Sequence, residues 1–152
     1  MCIWMNSRVG SLLTKCIGLR VSNAWRGEGS AIFLELGTLR SHNDKNPRRS
    51  KGIGEATIML DCGWRMEAKR SIVVGSLETH RGIESRIREM VGLSIRSITF
   101  IGRIPEIVIQ FGNGTWLQSF STCESEDWGV IFREGGAIGR KGCSVSYEAK
   151  QR

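Results

Sequence analysis

Two stretches of the chain spell the same kind of hairpin: GEATIMLDCGWRMEAKRSIVVGS at residues 54–76 is echoed by PEIVIQFGNGTWLQSF at residues 105–120. Both alternate β-branched or aromatic residues with polar ones and break at glycine, the pattern of half-buried antiparallel strands. Setting GLRVSNAW and AIFLELG beside LSIRSITF and IVIQFG brings Arg20 against Arg96 and Gly37 against Gly112, and Trp64 and Trp128 each open the last strand of a half. Two copies are too few for a solenoid, whose units need neighbours on both sides. The pattern predicts an α+β fold: an antiparallel sheet of two pseudo-repeated β-meander halves, about eight strands in all, with one amphipathic helix at 79–92 between them.

The helix follows from a change of period. Ile83, Ile87, Met90 and Val91 recur at helical spacing, Arg81, Glu84, Ser85, Arg88 and Glu89 fill the other side, and Gly92 is placed to end it. Strand patterns flank it at 16–25, 30–36, 55–62, 64–74 (one long strand or two shorter ones), 93–101, 106–111, 116–120 and 128–132. Asn113-Gly114 is the strongest hairpin signal. Glu134–Gly142 (EGGAIGRKG) reads as a glycine-rich link, followed by a terminal strand within CSVSYEA.

At 152 residues the chain suits a single domain, 1–152, and hydrophobic residues at 40% supply its core. The net charge of +7 is unevenly spread. Residues 37–54 lack hydrophobic period and predict a mobile basic loop, in which Arg40, Lys45, Arg48, Arg49 and Lys51 face only Asp44; the C-terminal tail at 140–152 carries Arg140, Lys141, Lys150 and Arg152 against Glu148. What remains is neutral, so the excess charge belongs to one loop and one tail.

Several function classes find no support. No apolar run approaches the roughly 20 residues of a bilayer span, the N-terminus lacks the pattern of a secretory signal, and the expected location is cytoplasmic. Five cysteines without any Cys-x-x-Cys, and only His42 and His80, do not compose a metal site. No metal or cofactor is expected. Cys62 or Cys123 beside His80 would be needed for nucleophilic catalysis; Glu35, Asp61, Glu67 and the Glu124, Glu126, Asp127 cluster are the carboxylates on strands or turns. The glycine-rich stretches at 52–54 and 135–142 lack a phosphate loop's spacing. The basic segments hold no Trp or Phe, so charge alone predicts only weak, non-specific nucleic-acid contact.

A resemblance adds to this reading. Trp64-Arg65 followed by Val74-Gly75-Ser76, a helix ending in Val91-Gly92, Ile95 and Ile98, and Ile109, Phe111, Asn113 and Gly114 together resemble a family of small uncharacterised bacterial α+β proteins. Some of these are similar to immunity proteins of toxin systems. The resemblance runs from Leu19 to Phe132, supplies no catalytic residue, and leaves out the basic loop and the tail. It implies a protein-binding, immunity-like interaction protein without catalytic activity, with Trp64 and Trp128 among its candidate partner residues. The alternative is an enzyme or binder of a small anionic ligand held by Arg20, Arg65 and Arg96. Edge strands of a meander also admit a homodimer.

Overall fold

The alternation in IFLEL sends Ile32, Leu34 and Leu36 into the interior with no exposure and leaves Phe33 and Glu35 on the other face. The same rule governs the other strands. The computed structural model describes residues 7–41, 45, 47, 51–125 and 127–149. In chain order its elements are α1 (Ser7–Thr14), β1 (Val21–Arg26), β2 (Ile32–Leu36), β3 (Ala56–Asp61), β4 (Gly63–Ala68), β5 (Ser71–Gly75), α2 (His80–Arg88), β6 (Ile95–Ile101), β7 (Glu106–Phe111), β8 (Thr115–Phe120), β9 (Asp127–Phe132), β10 (Ala137–Lys141) and β11 (Ser144–Glu148).

The strands form two antiparallel sheets, ordered β1-β2-β3-β9-β10-β11 and β5-β4-β8-β7-β6, enclosing one hydrophobic core. The fold is α+β in the coarse sense expected, but the described residues form eleven strands in two sheets and two helices rather than about eight strands and one helix. The extra strands come from 63–75, which a tight turn at Lys69 and Arg70 divides into the shorter strands β4 and β5, and from the supposed glycine-rich link, which contains β10. Arg140 and Lys141 therefore belong to a strand, not a tail. Lys150 and Arg152 lie outside the described residues, as do Arg48, Arg49 and five further residues of the 37–54 stretch, where a mobile loop was expected.

The internal repeat is present, and its halves exchange strands. Each half runs helix, three-strand meander, then a crossing into the opposite sheet: β4 pairs with β8, and β9 pairs with β3. In the first half the crossing takes one residue, Cys62. Hairpins β1–β2 and β6–β7 share a register shift at the same place, between Val21 and Asn23 and between Ile95 and Ser97. Where the halves meet, the bonds are reciprocal. Gly18 N–H donates to the Ile95 carbonyl and Gly92 N–H to that of Val21, both at 2.8 Å; Val21 N–H donates to Leu93 at 2.9 Å and Ile95 N–H to Leu19 at 2.8 Å. Reciprocal contacts of this kind are the mark of twofold relation.

This arrangement corrects the alignment of the arginines. Arg20 bridges Ser94 and is its counterpart, and Arg96 corresponds to Ser22. The sequence alignment had slipped by two residues, the strand period, which leaves every side chain on its expected face and so is invisible in an alternating pattern.

The helices are counterparts too. Val9, Leu13 and Cys16 are buried on and after α1 as Ile83, Ile87 and Met90 are on and after α2. Each ends at a glycine with positive φ, Gly18 or Gly92, the left-handed turn that glycine takes without steric cost. Thr79 caps α2 by accepting from Gly82 N–H at 3.1 Å, and Arg86 and Arg88 in the last turn suit the helix dipole. The helix is shorter than the expected 79–92, since the chain turns after Glu89.

Trp64 and Trp128 are also equivalent. Each stands second in its strand, β4 or β9, and its indole N–H donates to the turn of the neighbouring hairpin: Trp64 to the Ser30 carbonyl at 2.8 Å, Trp128 to that of Pro105 at 2.9 Å.

Candidate functional site

Where two halves share a design, the places where they differ stand out. On the outer face of the first meander the register aligns Asn23 with Glu35, Trp25 with Phe33, and Glu35 with Thr57. The counterparts in the second meander are Ser97 for Asn23, Thr99 for Trp25, Gln110 for Glu35 and Trp116 for Thr57. A three-residue turn, Gly112–Gly114, stands there in place of the 37–54 segment. The first face alone carries a buried carboxylate and a stacked aromatic pair.

Glu35 is fully buried. Its Oε2 accepts from the Thr57 hydroxyl at 2.6 Å and from Gly54 N–H at 3.0 Å, and Oε1 accepts from Trp25 Nε1 at 3.3 Å. A carboxylate out of water persists when several donors replace its hydration, and these tie β1, β2 and β3 to the end of the basic segment. Trp25 lies flat on Phe33, with ring centroids 4.1 Å apart and planes 7° from parallel. Next along β1, Arg26 is buried and paired with Glu84 of α2 through Nε at 3.0 Å and Nη2 at 2.9 Å; its Nη1 donates to the carbonyls of Gly27 and Gly29 at 3.1 and 2.6 Å. Arg26 thus fastens the β1–β2 turn to the helix.

Between β1, α2 and the basic segment lies a cleft of about 620 Å³, lined by Asn23, Trp25, Arg26, Glu84 and Arg88, with Pro47 and Lys51 contributed by the segment. Asn23 is 5% exposed, and its Nδ2 donates to nothing among the described residues. Arg88 and Lys51 are exposed. The base of the segment is pinched shut by reciprocal bonds between Arg40 and Ile53, both 2.9 Å, and Arg133 Nη1 donates to the carbonyls of Thr38 and Ile53 at 2.7 and 3.2 Å. The cleft therefore has, among the described residues, an unpaired donor in its wall, two cations at its rim, and the largely buried Trp25 ring in its lining.

Of the residues picked from sequence that the structure describes, Lys51 alone lines the cleft; Arg48 and Arg49 lie outside the described residues. Arg20 is exposed and braces the halves, donating from Nη1 to the Gly92 carbonyl at 2.9 Å. Arg65 pairs with Glu67 and lies 4.6 Å over the Phe120 ring. Arg96 is exposed on β6. None of the three lines the cleft. Trp64 and Trp128 are buried clamps whose rings do not face solvent. Arg40 and Lys45 are exposed. His80 is exposed at the start of α2, and Cys62 is buried at the strand crossing. Glu124 reaches Arg140 at 3.9 Å, and Glu126 lies outside the described residues. Burial pushes the Cys16 thiol up to about 11, so it is a core group at neutral pH.

Asn23, Trp25, Arg26, Glu84 and Arg88 were missed as site residues. The one signal for them was the uneven hairpin connection, 18 residues at 37–54 against three at 112–114. Among the described residues no cluster of three or more His, Cys, Asp or Glu is placed to hold a metal ion, and no helix is long and apolar enough to cross a membrane. No protein-family model, curated protein or solved structure matches the chain.

Proposed function

We propose that the chain is a binding protein of the cytosol, and that its cleft over β1 receives a carboxylate presented by a partner protein. The observation that carries this reading is Asn23 Nδ2, a buried donor with no partner among the described residues, in the wall of a cleft rimmed by Lys51 and Arg88. An unsatisfied buried donor costs roughly 1–3 kcal/mol, and a bound acceptor removes that cost. The two cations favour an anionic acceptor, and the surrounding basic segment steers an acidic partner toward it. An immunity-type role, in which the partner is a toxin held inactive, is one form of this function.

A free small anion is the second reading, favoured by the cleft's volume, which lies in the range of small-molecule sites. A fluorescein-labelled Glu-rich peptide titrated with the protein, followed by anisotropy and competed with citrate and inorganic phosphate, tests both. Salt-sensitive peptide binding, weakened at least tenfold by Asn23→Leu and by Lys51→Glu with Arg88→Glu, supports the protein reading. Binding of citrate or phosphate without the peptide supports the small-anion reading. Peptide binding indifferent to these substitutions removes the cleft from the function.

A further inference from the structure

The repeat leaves one place empty. β10 is the counterpart of β5, and β11 lies alongside β10 in the six-stranded sheet, while β5 ends the five-stranded sheet with no strand beyond it among the described residues. Such edges invite a further strand, and proteins usually guard them with charge. Among the four edge strands, β1 contains Arg26, β6 contains Arg96 and β11 contains Glu148. The fourth, β5, reads Ser-Ile-Val-Val-Gly and contains none. Ile72 on it is 63% exposed, and Leu77, just past its end, is fully exposed. Charges stand at its two ends, Lys69 and Arg70 before it and Glu78 after it, all exposed.

We propose that β5 pairs antiparallel with β5 of a second copy of this chain about a twofold axis, extending the five-stranded sheet across a dimer. Charge selects this occupant. Antiparallel pairing sets the beginning of one strand beside the end of the other, so Lys69 and Arg70 of each copy approach the partner's Glu78, and the contact is made twice. In that register Ile72 is covered by the partner's residues just past the end of β5, and the twofold contact closes on itself instead of growing into a filament. The bulge between Met66 and Glu67 leaves Val73 out of the ladder and shortens the edge available, which makes the dimer a reversible one. Neither Lys69, Arg70 nor any residue of β5 lines the cleft over β1, so the dimer and the carboxylate site stand or fall separately.

Sedimentation velocity of the full chain, from micromolar to hundreds of micromolar, tests the dimer. The expected result is a shift from monomer to dimer mass with concentration, loss of the dimer in Ile72→Lys with an unchanged circular dichroism spectrum, loss in Arg70→Glu, and recovery when Arg70→Glu is combined with Glu78→Arg. A wild-type chain that stays monomeric throughout overturns the proposal. So does a dimer indifferent to Ile72→Lys, or a charge-swapped double variant that stays monomeric. If Ile72→Lys disturbs the fold, the charge swap decides, since both of its positions are exposed.

Discussion

Trp64 and Trp128 hold equivalent turns by equivalent bonds, indole N–H to the carbonyl of Ser30 at 2.8 Å and to that of Pro105 at 2.9 Å. Because the halves exchange strands, each tryptophan sits on a crossing strand and clamps a hairpin of its own half in the opposite sheet. Replacing either with Phe leaves a carbonyl unpaired and shrinks a buried ring, and is expected to cost about 2 kcal/mol. Trp128→Phe should cost more than Trp64→Phe, because Trp128 also stacks on Phe100 at 5.2 Å. Urea denaturation followed by circular dichroism measures both.

Glu35 gathers three donors on the outer face of the first meander. Glu35→Ala strands the Thr57 hydroxyl, Gly54 N–H and Trp25 Nε1, each a donor whose orphaning costs roughly 1–3 kcal/mol. Its urea midpoint should fall by a large fraction of the wild-type value, whereas Thr57→Val, which removes one donor and keeps the carboxylate, should lower it modestly. Amide exchange at Gly54 should quicken in Glu35→Ala, because that N–H loses its acceptor. Unchanged Gly54 protection would show that the carboxylate does not hold the basic segment.

Asn23 is expected to separate stability from binding. Asn23→Leu removes an unpaired buried donor, so the variant should be as stable as wild type or more so, by about 1 kcal/mol, while acidic-peptide affinity falls at least tenfold. A substitution that stabilises the fold and abolishes function is the signature of a group retained for a ligand. Thermal melts and anisotropy titrations on the same preparation give both numbers.

Cys16 supplies the pH prediction. Burial raises its thiol from 9.0 to about 11, so the folded state keeps the proton that the unfolded state gives up. The resulting stability is fully present below pH 9.0, and declines as pH rises through about 11, by at most about 2–3 kcal/mol. Cys16 and Cys62, both buried, should resist a thiol reagent in the native protein, while Cys123 and Cys143, both exposed, react at once. Mass-spectrometric mapping of labelled cysteines before and after denaturant addition tests this.

How much of this was legible beforehand can be read from particular residues. Helix α2 was, because Ile83 and Ile87 keep helical period against a strongly polar opposite face. Helix α1 was not: its eight residues contain Gly10 and bury only Val9 and Leu13, with Leu12 partly buried against the core. The equivalence of Trp64 and Trp128 was visible because tryptophan is rare enough to serve as a landmark. The pairing of Arg20 with Arg96 failed because a two-residue slip costs nothing in an alternating strand. Asn23, Arg26 and Glu84 were illegible as a group, since β1 and α2 are far apart in the chain and only packing brings them together.

By itself the sequence determined the duplicated strand pattern, the second helix, the location of excess charge and the odd length of one hairpin connection, all properties written in neighbouring residues. Tertiary structure alone decided that the halves trade strands, that the two tryptophans become buried clamps, and that the first meander's outer face closes over Glu35 and opens at Asn23. Those outcomes depend on backbone hydrogen bonds and burial between segments distant in sequence. Local propensity says nothing about such pairings, because they are settled by what the whole chain can cover and satisfy at once.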